Sequence, residues 1–397
     1  MTCVRTKTFL ALLTLSWLIQ AQAGKVAPLR ASLDTHVHLN FEPAEAQVEK
    51  LKASGILERV DHLLLISPSY LITSGYSPSG DWQKDRQLGD RITSEVVGLL
   101  KDRATGLCGG NLLWPDLDSY LNDCLNLPGM KGLKLRNESN PYEQFTRDQV
   151  SFTNIQNTEG LSRALAKAGD KAKFVLIHLN LPFFQYRDEL LEDFIEYDAM
   201  IEITESEDED IDGKKREAIR QQALASEGFR HIAQENEITE IQNAAELQAV
   251  LPIVKKFSRV QFIFAHGAND WRNLKMINDL EAGSRLANLW IESSTTFRAV
   301  SIVASALLPA SPIVKSLRAP SFSEWNRFGV HRILFGSDFS VEKYRPGRNL
   351  SLFEDMLNHL TPCSCEGSQG PCGCLTSDQS TTLTNSSGRE FLNSISR

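Results

Sequence analysis

The chain lacks an excess of positive charge, carrying 42 Lys and Arg against 50 Asp and Glu in 397 residues. A net charge of −8 leaves no basic face of the kind nucleic acid requires, so no nucleic-acid partner is expected. Glycine and proline are sparse, at 24 and 15, which excludes a collagen-like or low-complexity chain. Long apolar runs are also missing beyond Phe9 to Ile19. That run falls short of the ~20 residues that span a bilayer, so a polytopic membrane protein is excluded. No Gly-x-Gly-x-x-Gly follows a candidate strand, which removes the main support for an open doubly wound sheet. What remains is the composition of a soluble globular protein with ample chain for a large core.

The amino terminus reads as a leader. Arg5 and Lys7 precede the apolar run, and Ala21-Gln22-Ala23 fits the small-x-small pattern of a cleavage site. A membrane anchor or a buried helix would need a longer run or a different flank. We therefore expect residues 1–23 to be a signal peptide and residues 24–397 a single domain. The mature protein would be exported, periplasmic or extracellular, with no stable membrane insertion; its oligomeric state is open. Cleavage would remove Cys3 and leave six cysteines in an oxidising compartment.

Downstream, short apolar runs alternate with stretches of helical period. Strands are expected at Ser32–His38, His62–Ser67, Gly106–Leu113, Gly132–Arg136, Phe174–Leu179, Val260–His266, Leu289–Ser294 and Arg332–Asp338. Between them Glu45–Leu57, Leu161–Lys167, Ala244–Lys256 and Ser351–Leu360 read as helices. Strands alternating with helices imply parallel pairing and right-handed crossovers, and a (β/α)₈ TIM barrel is the economical closure. Two regions exceed a minimal barrel. Leu181 to Arg259 is too long for one crossover helix and contains the acidic run Glu205–Asp212, read as a solvated loop. Residues 362–380 form a Cys-, Gly- and Ser-rich loop before a last helix.

Chemistry-bearing groups end the strands. His36 and His38 are two apart, so on a strand both imidazoles face one side, and in a barrel that side is the interior. Two more apolar runs end in His178 and His266, and another ends in Asp338. A polar group ending a buried strand is costly unless it is paired or bound. A single such histidine is more often a satisfied core residue. Four strands ending this way, in a chain of eight His, favour a shared centre for a borderline metal such as Zn²⁺. His62, His231, His331 and His359 lie at strand starts or in helices and call for no function.

Taken in order, these pieces resemble the amidohydrolase superfamily, in its amidohydrolase-related branch. The resemblance runs from about Asp34 to Phe391. It rests on Asp34-Thr35-His36-Val37-His38, Gly132-Leu133-Lys134-Leu135, the His178 and His266 strands, Gly336-Ser337-Asp338-Phe339 and the closing Asn385-Ser386-Ser387-Gly388-Arg389-Glu390-Phe391. It implies that His36, His38, His178 and Asp338 bind one divalent metal, with His266 beside it as general acid/base or extra ligand. Asp338 could be ligand, base or both. A metal so held keeps a position for water and brings its pKa down to near ~7. An imidazole titrating near neutrality suits the accompanying proton transfer.

The resulting expectation is a metal-dependent hydrolase of a small amide, lactone or related C–N or C–O substrate. The runner-up is a non-oxidative decarboxylase of an aromatic or muconate-type acid, which the same branch resembles. A catalytically inert metal-binding barrel is the third. Some relatives carry a carboxylated strand-four lysine between two metals. Here Lys134 is expected instead to face the barrel layer or a carboxylate. Arg136 is a candidate clamp for a substrate carboxylate, or a structural ion-pair partner. Cys363, Cys365, Cys372 and Cys374 are expected to form disulfides, nested as Cys363 with Cys374 and Cys365 with Cys372, with a four-thiolate zinc knot as the rival.

Overall fold

The computed structural model describes residues 30–74, 77–136, 151–179, 227–266, 271–280, 286–294, 324, 327–341, 378 and 381–396. The strands are β1 (Ala31–His38), β2 (Val60–Ile66), β3 (Ala104–Gly110), β4 (Met130–Arg136), β5 (Phe174–His178), β6 (Gln261–Phe264), β7 (Leu289–Glu292), β8 (Ile333–Leu334) and β9 (Phe339–Ser340). All pair in parallel, in the order β8-β7-β6-β5-β4-β3-β2-β1-β9. Helices α1 (Ala44–Ala53), α2 (Ile56–Arg59), α3 (Trp82–Leu100), α4 (Leu117–Cys124), α5 (Ile155–Ala168), α6 (Glu227–Lys256), α7 (Trp271–Leu280) and α8 (Ser387–Ser396) accompany them. Among the described residues no helix is long and apolar enough to cross a membrane.

The sheet curls into an α/β barrel. Of the expected eighth strand, Arg332–Asp338, only β8 is regular, pairing with β7, and β9 follows just beyond it and pairs with β1. Between them Thr35 N donates to Phe335 O, and beyond them Val341 N donates to His38 O, both at 3.0 Å. The break frees Gly336 to Asp338 from regular pairing just where the polar residues lie. The α1 region also differs from expectation, because Gly55, at φ 75°, splits Glu45–Leu57 into two helices. In the long connection before β6, α6 extends well upstream of the expected Ala244 start. The leader, the acidic run, the Ser351–Leu360 helix and the quartet Cys363, Cys365, Cys372 and Cys374 lie outside the described residues.

Alternation along each strand sorts two apolar layers. Leu33, Leu64, Ile66, Leu107, Phe174, Leu176, Ile263, Trp290 and Leu334 pack inside the barrel. Leu63, Leu65, Leu133, Leu135, Val175, Ile177, Phe262, Phe264, Leu289 and Ile291 face the helices. Helix α8 adds to the inner layer, with Phe391 edge-on to Phe174 at 5.6 Å and to Trp290 at 5.5 Å. Helices start where their sequence supplies a cap. The Asp81 carboxylate accepts from Lys84 N before α3, and Asn154 accepts from Gln156 N before α5. One disulfide that the cysteine spacing did not suggest, Cys108–Cys124, ties β3 to the end of α4.

Candidate metal centre

Inward alternation carries polar groups to the carboxyl ends of the strands, above the apolar floor. On β1 this takes a register shift between Asp34 and Val37. Leu33 faces inward and Val37 outward, so without the shift His36 and His38 would not share the interior with Leu33. Asp34 braces the irregular stretch: its Oδ1 accepts from His36 N at 3.1 Å and Ser337 N at 2.9 Å. Burial pushes the Asp34 carboxyl up to about 6, against those hydrogen bonds.

Three of the expected ligands converge. His36, His38 and Asp338 each offer an atom within 4.8 Å of the others. His38 Nε2 lies 3.2 Å from Asp338 Oδ1, and His36 Nε2 lies 3.6 Å from the same oxygen. Burial works against charge on Asp338, but the His38 hydrogen bond and neighbouring imidazoles outweigh it and hold the carboxyl well below its usual range. Burial, then the Lys134 cation, holds His36 well below the ordinary imidazole range. Two imidazoles and a carboxylate converging in this way suit a divalent metal of borderline softness.

His178, expected as a fourth ligand, sits differently. Its Nδ1 lies 3.1 Å from His266 Nε2, the two rings meeting edge to face. The His266 ring in turn stacks 4.9 Å from that of His36. His266 Nδ1 lies 2.8 Å from Ser294 Oγ. Burial, then the neighbouring His178 imidazole, keeps His266 well below its ordinary value, so it is a neutral imidazole near pH 7. Both His266 and Asp338 adopt left-handed backbone conformations, at φ 58° and 53°. Such conformations are uncommon for residues with side chains and cluster at sites where geometry is imposed.

Lys134, expected to face the barrel layer or a carboxylate, is fully buried with its Nζ 3.2 Å from His36 Nε2. Alternation turns it inward, and its four-carbon stem is long enough to reach the imidazole itself. Arg136 ends β4 beside His178, and its side chain lies outside the described residues.

Sequence reasoning missed Glu292. It is fully buried at the end of β7, its Oε1 3.0 Å from His36 Nδ1, and with His36 and His266 it makes a second convergent group. The signal was available: Leu289-Trp290-Ile291-Glu292 is an apolar run ending in a charge, the same pattern that singled out His178 and His266.

No family model matches the chain, and no curated protein matches it. It is similar to the solved structure of 5-carboxyvanillate decarboxylase from Novosphingobium aromaticivorans, complexed with manganese. The identity is 11% over 94% of this chain and 97% of that one, with a TM-score of 0.45. An amidohydrolase from Mycobacterium avium subsp. paratuberculosis is similar at 11% identity over 88% and 74%, with a TM-score of 0.39. A dihydropyrimidinase from Brevibacillus agri is similar at 14% identity over 90% and 69%, with a TM-score of 0.40. Likeness this remote assigns the chain no metal, substrate or reaction.

Proposed function

We propose that this chain is a metal-dependent hydrolase of the amidohydrolase type, acting on a small amide, lactone or related C–N or C–O substrate. The observation that carries the reading is the convergence of His36, His38 and Asp338 within 4.8 Å, beside the buried neutral imidazole of His266. His36, His38 and Asp338 would hold one divalent ion, with Zn²⁺ the expected metal. When bound, such an ion polarises a carbonyl and brings the pKa of water toward ~7. Asp338, ionised in the buried site, would face the ion together with His38, whose Nε2 lies 3.2 Å from its Oδ1. His266 is anchored at Nδ1 by Ser294, which leaves Nε2 to accept a proton and share it with His178 Nδ1. We assign His178 to that imidazole pair in place of the fourth-ligand role.

Export is part of the same proposal. The buried Cys108–Cys124 disulfide supports folding in an oxidising compartment, in keeping with the leader-like Phe9 to Ile19 run. That setting favours hydrolysis over the catabolic decarboxylation that the same donor set would serve. The test is a screen of the Zn²⁺-loaded full chain for acid release from lactones and amides and for carbon dioxide release from aromatic carboxylates. Acid release is expected, and His266→Ala should abolish it with metal content near one equivalent. Carbon dioxide release alone would replace the hydrolase with a decarboxylase. Silence in both arms with metal bound would leave an inert metal-binding barrel.

A further inference from the structure

Two convergent groups share one residue: His36 with His38 and Asp338, and His36 with His266 and Glu292. They lie on opposite edges of the same ring, since Nε2 faces Asp338 and Nδ1 faces Glu292. Geometry alone leaves either as the ion's seat. Hydrogen-bond accounting separates them. A carboxylate offers about four lone-pair sites. Around Glu292, Oε1 meets His36 Nδ1 at 3.0 Å, His266 N at 2.6 Å and Ser294 Oγ at 2.7 Å, while Oε2 accepts from Ser294 N at 2.7 Å. Two of those donors are backbone N–H groups and cannot turn away. On the outer flank of Oε2 the Gly336 backbone lies so close that a Cβ there would collide with the carboxylate. Oε1 is fully engaged, and Gly336 lies close against Oε2.

We propose that Glu292 is a positioning residue, not a ligand, and that it fixes His36 as the Nδ1–H tautomer with Nε2 turned to the metal; this rests on the metal reading above. The two neighbours of the ring demand the same tautomer. A carboxylate needs a donor at Nδ1, and the Lys134 amine, 3.2 Å from Nε2, can donate to an acceptor there. The tautomer is thereby set before any ion arrives. The same Oε1 takes the His266 backbone N–H, so one carboxylate fixes both the His36 ring and the left-handed turn that carries His266.

The test uses full-length protein. In metal-stripped wild type labelled with ¹⁵N-histidine, long-range ¹⁵N–¹H spectra should show His36, assigned by its loss in His36→Asn, as the neutral Nδ1–H form. An Nε2–H form would overturn the proposal. Co²⁺ titration supplies the second readout. Glu292→Gln should bind about 10–100-fold more weakly, the usual cost of losing a partner behind a ligand, with absorption bands unchanged in position. Shifted bands would make Glu292 a ligand, and unchanged affinity would make it a bystander; either result overturns the proposal. Ser294→Ala, which keeps the carboxylate and removes one of its donors, should weaken Co²⁺ several-fold with the same bands, and provides this readout if Glu292→Gln does not fold. A wild type that takes up no Co²⁺ sinks the metal reading, while the tautomer of the metal-free chain still judges Glu292.

Discussion

Two of the clusters of polar groups buried among the described residues are arranged by opposite rules. Between α3, α4 and the turn after β2, each polar group meets a complementary partner. Arg86 pairs with Asp116 through two hydrogen bonds of 3.1 and 2.6 Å and lies over Trp82, Trp114 and Tyr120, 4.2–5.0 Å from their ring centres. Asp90 accepts from Ser69 Oγ at 2.9 Å, and that hydroxyl also accepts from Gly109 N. At the carboxyl ends of β1, β5 and β6, imidazole meets imidazole, and ligand atoms point at one another. The backbone separates the two clusters again: both His266 and Asp338 have positive φ, and no residue of the Arg86 cluster does. Burial of charge therefore does not by itself mark function. Like groups turned toward a common gap, on imposed backbone, do.

The sharpest way to break this comparison is to remove one group from each cluster. His36→Ala or Asp338→Ala should lower metal retention by more than ~100-fold, beyond what losing a supporting partner costs, as measured by competition with a chromophoric chelator. Retention within tenfold of wild type would move the ion elsewhere.

Asp90→Asn tests the second cluster through pH. Burial raises the Asp90 carboxyl from 3.8 to about 6, against hydrogen bonds from Ser67, Tyr120 and Ser69 and the charge of Arg86. The folded state thus binds the proton more tightly than the unfolded chain. Stability falls as pH rises from about 4 through about 6, by roughly 3 kcal/mol. Asp90→Asn should match wild type in urea midpoint at pH 4 and exceed it at pH 7.5. A variant less stable than wild type at pH 7.5 would mean that the charge is welcome there.

The smallest effect belongs to Arg86→Lys. It keeps the charge but loses the planar fork and the stacking, so stability should drop about 1–2 kcal/mol by urea unfolding. Metal retention should not change, and a parallel loss of both would join the two clusters into one functional unit.

Much of the fold was legible because period and termination are local properties. Runs such as Phe174-Val175-Leu176-Ile177-His178 declare a strand buried on both faces with a polar end. The eighth strand was misread as continuous because Leu334-Phe335-Gly336 is apolar enough to extend it, and only pairing with β7 on one side and β1 on the other breaks it. The β1 irregularity was invisible for the same reason. His36 and His38 share a face by spacing, but which face they share with Leu33 depends on a register shift against β2.

By itself the sequence determined the first seven strands, that they lie parallel, and that His36, His38, His178, His266 and Asp338 lie at or just beyond strand ends. Tertiary structure alone decided who meets whom: His178 with His266, Lys134 with His36 Nε2, and Glu292 with His36 Nδ1 across 256 residues. The reason is physical. The inward side of each residue follows from a two-residue period within one strand. The neighbour across the barrel follows from register and curl summed over all the strands, and no short stretch of chain carries that sum.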